Sequence, residues 1–109
     1  MHLIGIRRSL VEQHPWLAAS VQKGFDEARA HALQQLRHVG TLAVMLPWMV
    51  DDLKRAEAVM GPDLWRYGFG ANRAELDAMV RWAHEQGLTD RHMDAAEMFA
   101  AATRDTSRI

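Results

Sequence analysis

Leu3, Ile4, Gly5 and Ile6 open the chain as a short apolar run that reads as a strand, and no later segment reads as a strand to pair with it. A lone strand leaves a row of backbone N–H and C=O groups unmet on each edge, and each such group costs roughly 1 to 3 kcal/mol if buried without a partner. The expected architecture is therefore mainly α with one short N-terminal strand near residues 2–7. Its ladder partner would come from more chain or from another molecule.

The rest of the 109 residues carries helix signals. Ser9 stands three residues before Glu12, the spacing of a capping box, and caps a short turn. Pro15 suits a first helical position, where its missing N–H would have gone unsatisfied anyway, and Leu17, Val21, Phe25, Ala28, Ala32 and Leu36 then recur at helical spacing. This predicts a helix over 15–37. Gly40 and Thr41 break the pattern, so Val39 to Leu46 reads as a linker. Pro47 opens a second helix over 47–60 with Met49, Leu53, Ala56 and Met60 on one face, Asp51 and Asp52 in its first turn and Gly61 after its end. Asn72 with Glu75 offers an N-cap and its reciprocal for a third helix over 71–86, with Leu76, Met79, Val80 and Ala83 on its apolar face. Asp94 with Glu97 repeats the device for a last helix over 94–101. The reading is one domain over 1–102 with a flexible tail over 103–109.

Composition narrows the function classes. Thirteen Lys and Arg against fourteen Asp and Glu, interleaved along the chain, give no basic stripe for nucleic acid. The absence of cysteine removes thiolate metal sites and thiol nucleophiles, and is compatible with the cytoplasm. No apolar stretch approaches the roughly 18 to 20 residues of a membrane span, and no signal-peptide pattern follows Met1. A cytoplasmic chain without membrane or nucleic-acid partners is expected.

Six histidines raise the question of a metal. His31 and His38 stand two helical turns apart, about 10.5 Å, too far to share an ion. His84 and His92 lack a further ligand at three or four residues, so no metal site is expected. Asp51 and Asp52 point about 100° apart on a helix and read as first-turn charges rather than as an acid and base. No nucleophile elbow and no phosphate-binding glycine loop is present.

Taken in order, His2-Leu3-Ile4-Gly5-Ile6-Arg7-Arg8-Ser9-Leu10, His14-Pro15-Trp16-Leu17, Leu46-Pro47-Trp48, Met60-Gly61, Trp65 with Tyr67-Gly68, Asn72-Arg73 and Glu85-Gln86-Gly87-Leu88 resemble the C-terminal part of 4,5-dihydroxyphthalate decarboxylases. The resemblance implies a piece of an α/β two-lobe fold of the type 2 periplasmic-binding-protein kind, in which two lobes close over a ligand. It implies non-oxidative decarboxylation of 4,5-dihydroxyphthalate to 3,4-dihydroxybenzoate, with no cofactor. Such chemistry needs a cation for a carboxylate, a group that polarises a phenol and an acid that protonates the ring carbon.

On that resemblance, His2, Arg7 and Arg8 are the candidate catalytic residues, and Trp65, Tyr67 and Asn72 the candidate substrate-binding residues. The plainer reading makes Arg7 and Arg8 a solvated strand exit and the rings a cover for the core. Most of the two-lobe cleft has no counterpart in this sequence, so the 109 residues alone are expected to be inactive. An aromatic dicarboxylate would be the ligand of the complete fold, and self-association through the N-terminal strand is expected of the isolated chain. The alternatives are part of a solute-binding protein for an organic anion, and a self-associating helical domain.

Overall fold

Two proline-containing turns lead into two of the helices. In His14-Pro15-Trp16-Leu17 and in Leu46-Pro47-Trp48-Met49 the fourth residue's N–H donates to the first residue's carbonyl, at 2.9 Å from Leu17 to His14 and 3.4 Å from Met49 to Leu46. Proline's fixed φ favours the second position of such a turn. The helix then follows the turn instead of starting on the proline.

In the computed structural model, which describes residues 2–38, 40 and 43–104, four α-helices follow in order: α1 (Arg8–Gln13), α2 (Leu17–Arg37), α3 (Met49–Met60) and α4 (Arg73–Glu85). Short 3-10 turns at Gly70–Asn72, Ala95–Met98 and Ala101–Thr103 complete the described elements. The mainly α expectation holds. The strand does not: residues 2–7 belong to no regular element, and no strand or sheet occurs among the described residues. Leu3 is 46% and Ile4 64% exposed, so their backbone polar groups need no ladder. An apolar run signals a strand only where a second run offers it hydrogen bonds. The α/β part of the expected fold falls with it. Of the expected linker, Val39, Thr41 and Leu42 lie outside the described residues, as do residues 105–109 of the expected tail.

The chain forms two compact units, Met1–Lys23 with Tyr67–Ile109, and Gly24–Arg66. In the first, Phe69, Leu76, Val80 and Ala95 are buried together, with Met79, Ala96 and Phe99 packed against them. The Phe69 and Phe99 rings lie 5.2 Å apart in a tilted pair. Here the apolar face read from the sequence is the buried face, since Leu76 and Val80 are buried and Met79 and Ala83 half-buried. α4 ends as its glycine requires: Gly87 at φ +71 lets its N–H reach His84 O at 3.0 Å while Leu88 N–H reaches Ala83 O at 2.8 Å, the paired bonds of a Schellman cap.

In the second unit two arginines eight residues apart on α2 fasten the end of α3 and the segment after it. Arg29 donates to the Asp63 carboxylate at 2.7 Å and to Leu64 O at 2.9 Å. Arg37 donates to Glu57 at 2.8 Å and to Pro62 O at 2.6 Å. Leu64 is fully buried, and its carbonyl is satisfied by a guanidinium rather than by a helix or sheet. The face of α2 that turns inward follows from these bonds. Ala18 and Leu33 are buried and Gln22, Asp26 and Arg29 half-buried, whereas Phe25, Ala28 and Ala32 of the apolar stripe are exposed. The buried face is turned from the stripe by about one residue, close to 100° around the helix.

Candidate functional site

The candidate cations stand at the head of α1. Arg7 is its N-cap, with extended backbone at φ −56 and ψ 127, and its carbonyl accepts from Leu10 N–H at 3.0 Å. Arg8 is the first helical residue. The pair is thus a helix start and not a strand exit, and Ser9, expected as the cap, lies inside the helix. Both arginine side chains are exposed, as is His2 in the irregular segment before them. The arginines elsewhere set these two apart. Arg29, Arg37, Arg73 and Arg91 hold carboxylates at 2.6 to 2.8 Å, while among the described residues no ion pair joins Arg7 or Arg8 to an acid.

The candidate aromatic loop divides between the units. Trp65 belongs to the Gly24–Arg66 unit; it is 57% exposed and its backbone is left-handed at φ 50, a conformation that costs a non-glycine residue about 1 to 2 kcal/mol. Tyr67, 47% exposed, and Asn72, half-buried, belong to the other unit. There Gly68 at φ +96 turns the chain so that Phe69 enters the core, and Asn72 Nδ2–H closes the turn on Gly68 O at 2.9 Å. Asn72 therefore makes no side-chain cap to α4, and the reciprocal cap expected with Glu75 does not form. Of the three rings in this loop one is core and two present themselves to solvent. The structure brings Tyr67 and Asn72 onto one loop and His2, Arg7 and Arg8 onto one N-terminal segment.

A charged network that sequence reasoning did not foresee joins the start of α4 to the turn at Ala95–Met98. Arg73 donates to both Asp77 oxygens at 2.8 and 2.9 Å and to Asp94 at 3.3 Å, and its guanidinium lies 5.1 Å from the Phe69 ring centre. Asp94 accepts from Ala96 N–H at 2.9 Å while Glu97 accepts from Asp94 N–H at 3.3 Å, the capping box read from the sequence. Arg91 grips Glu97 at 2.6 Å. The bond from Arg91, then the bond from the Asp94 N–H, holds the Glu97 carboxyl below the usual carboxylate range.

The sign of the resulting pH dependence is fixed by that direction. A group whose folded value is depressed adds stability that is fully present above its unfolded value, about 4.3 for glutamate, and is lost as pH falls through the folded value. NMR titration of the Glu97 side-chain carbon should give a midpoint below that unfolded value. Glu97→Gln should reduce the loss of stability on going from neutral pH to pH about 3. A midpoint at or above the unfolded value would remove the argument.

His84 and His92 meet edge to face with ring centres 6.0 Å apart, and His84 Nδ1 lies 3.3 Å from Thr89 O. Among the described residues no three His, Cys, Asp or Glu side chains gather as a metal site would require. No helix among them is long and apolar enough to cross a membrane.

No family model matches the chain. A known protein does, and it is a decarboxylase by name: over all 109 residues the chain is 38% identical to it. That relative is the 4,5-dihydroxyphthalate decarboxylase of Comamonas testosteroni, and the chain spans 33% of its length. The resemblance carried by the motifs above thus extends through every element of the fold.

Proposed function

We propose that this chain forms part of a 4,5-dihydroxyphthalate decarboxylase, working in the cytoplasm in the degradation of aromatic acids. The observation that carries the reading is 38% identity over the full 109 residues to the Comamonas testosteroni enzyme. A chain without cysteine needs no oxidising compartment, in keeping with that location.

In this reading the reaction breaks one ring–carboxylate bond. The bonding pair stays with the ring carbon, a proton takes the place of carbon dioxide, and no oxidant is consumed. Each phenol lies para to one carboxylate, so polarising it raises electron density at the carbon to be protonated. Arg7 and Arg8 are the residues for a carboxylate, because each guanidinium offers a planar fork of donors and neither is committed to an acid among the described residues. His2 is the candidate proton donor, an imidazole on the same N-terminal segment as the two guanidinium groups. Tyr67 is the candidate phenol contact, with Asn72 as the positioning residue that holds its loop through Gly68.

The test is a chimera in which the matched third of the Comamonas enzyme is replaced by this chain. Carbon dioxide release from 4,5-dihydroxyphthalate with formation of 3,4-dihydroxybenzoate is the expected outcome for the chimera, and no release for the 109 residues alone. A folded chimera that binds organic anions without turnover would transfer the chain to the solute-binding reading.

A further inference from the structure

We infer that the face of α2 carrying Gly24, Phe25, Ala28 and Ala32 is the seat of the polypeptide that corresponds to the rest of the decarboxylase, which docks there as a helix. The inference rests on the decarboxylase reading and adds to it where the remaining chain packs.

The sequence places its apolar stripe on this face, yet the structure turns a different face inward. Arg29 and Arg37, through Asp63, Leu64, Glu57 and Pro62, fix the helix so that Leu33 and the Arg29 stem point to the interior. The middle of the stripe is left in solvent: Phe25 is 44% exposed and Gly24, Ala28 and Ala32 are exposed. A Cβ built on Gly24 would meet nothing within 4 Å. Lys23, Glu27 and Gln34 lie on the other exposed side of α2; Gln35, 2.9 Å from the His31 ring nitrogen, is a polar neighbour of the ridge, and no Lys, Arg, Asp or Glu falls on it. An amphipathic helix carries an apolar face to bury it, and within the Gly24–Arg66 unit nothing covers this one.

The residue sizes state the kind of partner. Gly24, Ala28 and Ala32 follow at intervals of four, an i±4 ridge of minimal height rising about 6 Å per step, with Phe25 standing beside it. Such a ridge admits a second helix at the short end of the usual interaxial range of about 8 to 10 Å, and Phe25 fills the space alongside. The relative's length states which polypeptide this is. α2 lies within the aligned span, which is 33% of the relative, so the same helix occurs in a protein with about two thirds of its chain still to be placed.

The absence of cysteine makes the test direct. Ala28→Cys places one thiol on the face, and Gln34→Cys places one about 120° around the same helix, on its other exposed side. Each is made in the 109-residue chain and in the chimera described above, and maleimide labelling at that position is followed by peptide mass spectrometry. Labelling at position 28 should be at least tenfold slower in the chimera than in the chain alone, with position 34 unchanged. Equal rates at position 28 in the two proteins would overturn the inference. So would slow labelling at position 28 in the chain alone that speeds up on dilution, which would assign the face to a second copy. Carbon dioxide release, measured on the unlabelled chimera, separates the two readings. Protection at position 28 without release defeats the decarboxylase assignment and leaves the docking face, and release without protection does the reverse.

Discussion

Leu76→Ala should cost the Met1–Lys23 and Tyr67–Ile109 unit about 2 to 5 kcal/mol, the range for removing a buried leucine side chain from a packed core. Leu76 is 2% exposed and shares its core with Phe69, Val80 and Ala95, three side chains on three different segments. Its removal leaves a void bordered by the loop at Phe69, by α4 and by the turn at Ala95, and these segments are tied by the Arg73 and Asp94 contacts that oppose their collapse. A domain of this size has roughly 5 to 15 kcal/mol to lose, so the substitution removes a large share. At a urea slope of about 1 to 3 kcal/mol per molar, the unfolding midpoint should fall by roughly 0.7 to 5 molar. Val59→Ala is the control, since Val59 is 86% exposed and its truncation should stay within about 0.5 kcal/mol. Equal losses from the two substitutions would mean that Leu76 is not the centre of this core.

What the sequence reveals of this fold is local, and it is most complete where one element satisfies itself. The capping box of Asp94 and Glu97, the glycines that end α3 and α4, and the apolar face of α4 each depend on residues within a turn or two, and each forms as read. Expectations fail where a remote partner decides. Leu3 to Ile6 have the composition of a strand but no ladder among the described residues, so irregular chain leads straight into α1. Asn72 has the side chain of a cap, but Gly68 O lies 2.9 Å away and takes the amide instead. On α2, periodicity locates the apolar stripe correctly but not which face turns inward. That choice is made by bonds from Arg29 and Arg37 to residues 20 to 35 positions away. The Pro-Trp turns displace two helix starts by two residues each, because the proline serves the turn before the helix. The candidate site was legible only through the resemblance. No spacing rule singles out Arg7 and Arg8, and their lack of an acidic partner among the described residues is visible only once the other arginines are seen to be engaged.

Replacing both of those arginines should have the largest effect on catalysis. In the proposed enzyme, one carboxylate of 4,5-dihydroxyphthalate departs and the other stays charged throughout, so a guanidinium holding the second binds substrate and transition state alike. Hydrogen bonds to a charged group contribute about 1.5 to 3 kcal/mol each, and two of them correspond to roughly a 10²- to 10⁴-fold change in kcat/KM. Arg7→Ala with Arg8→Ala in the chimera should therefore lower kcat/KM by about that factor. Most of the change should be a raised KM, the signature of lost uniform binding. The fold should be unaffected within about 0.5 kcal/mol, since both side chains are exposed. Arg7→Lys with Arg8→Lys should recover part of the loss, because an ammonium keeps the charge but not the planar fork that meets a carboxylate with two parallel bonds. A double alanine variant within about threefold of the parent would show that the carboxylate is held elsewhere, and a large fall in kcat with KM unchanged would move these arginines from binding the retained carboxylate to the carbon that loses carbon dioxide.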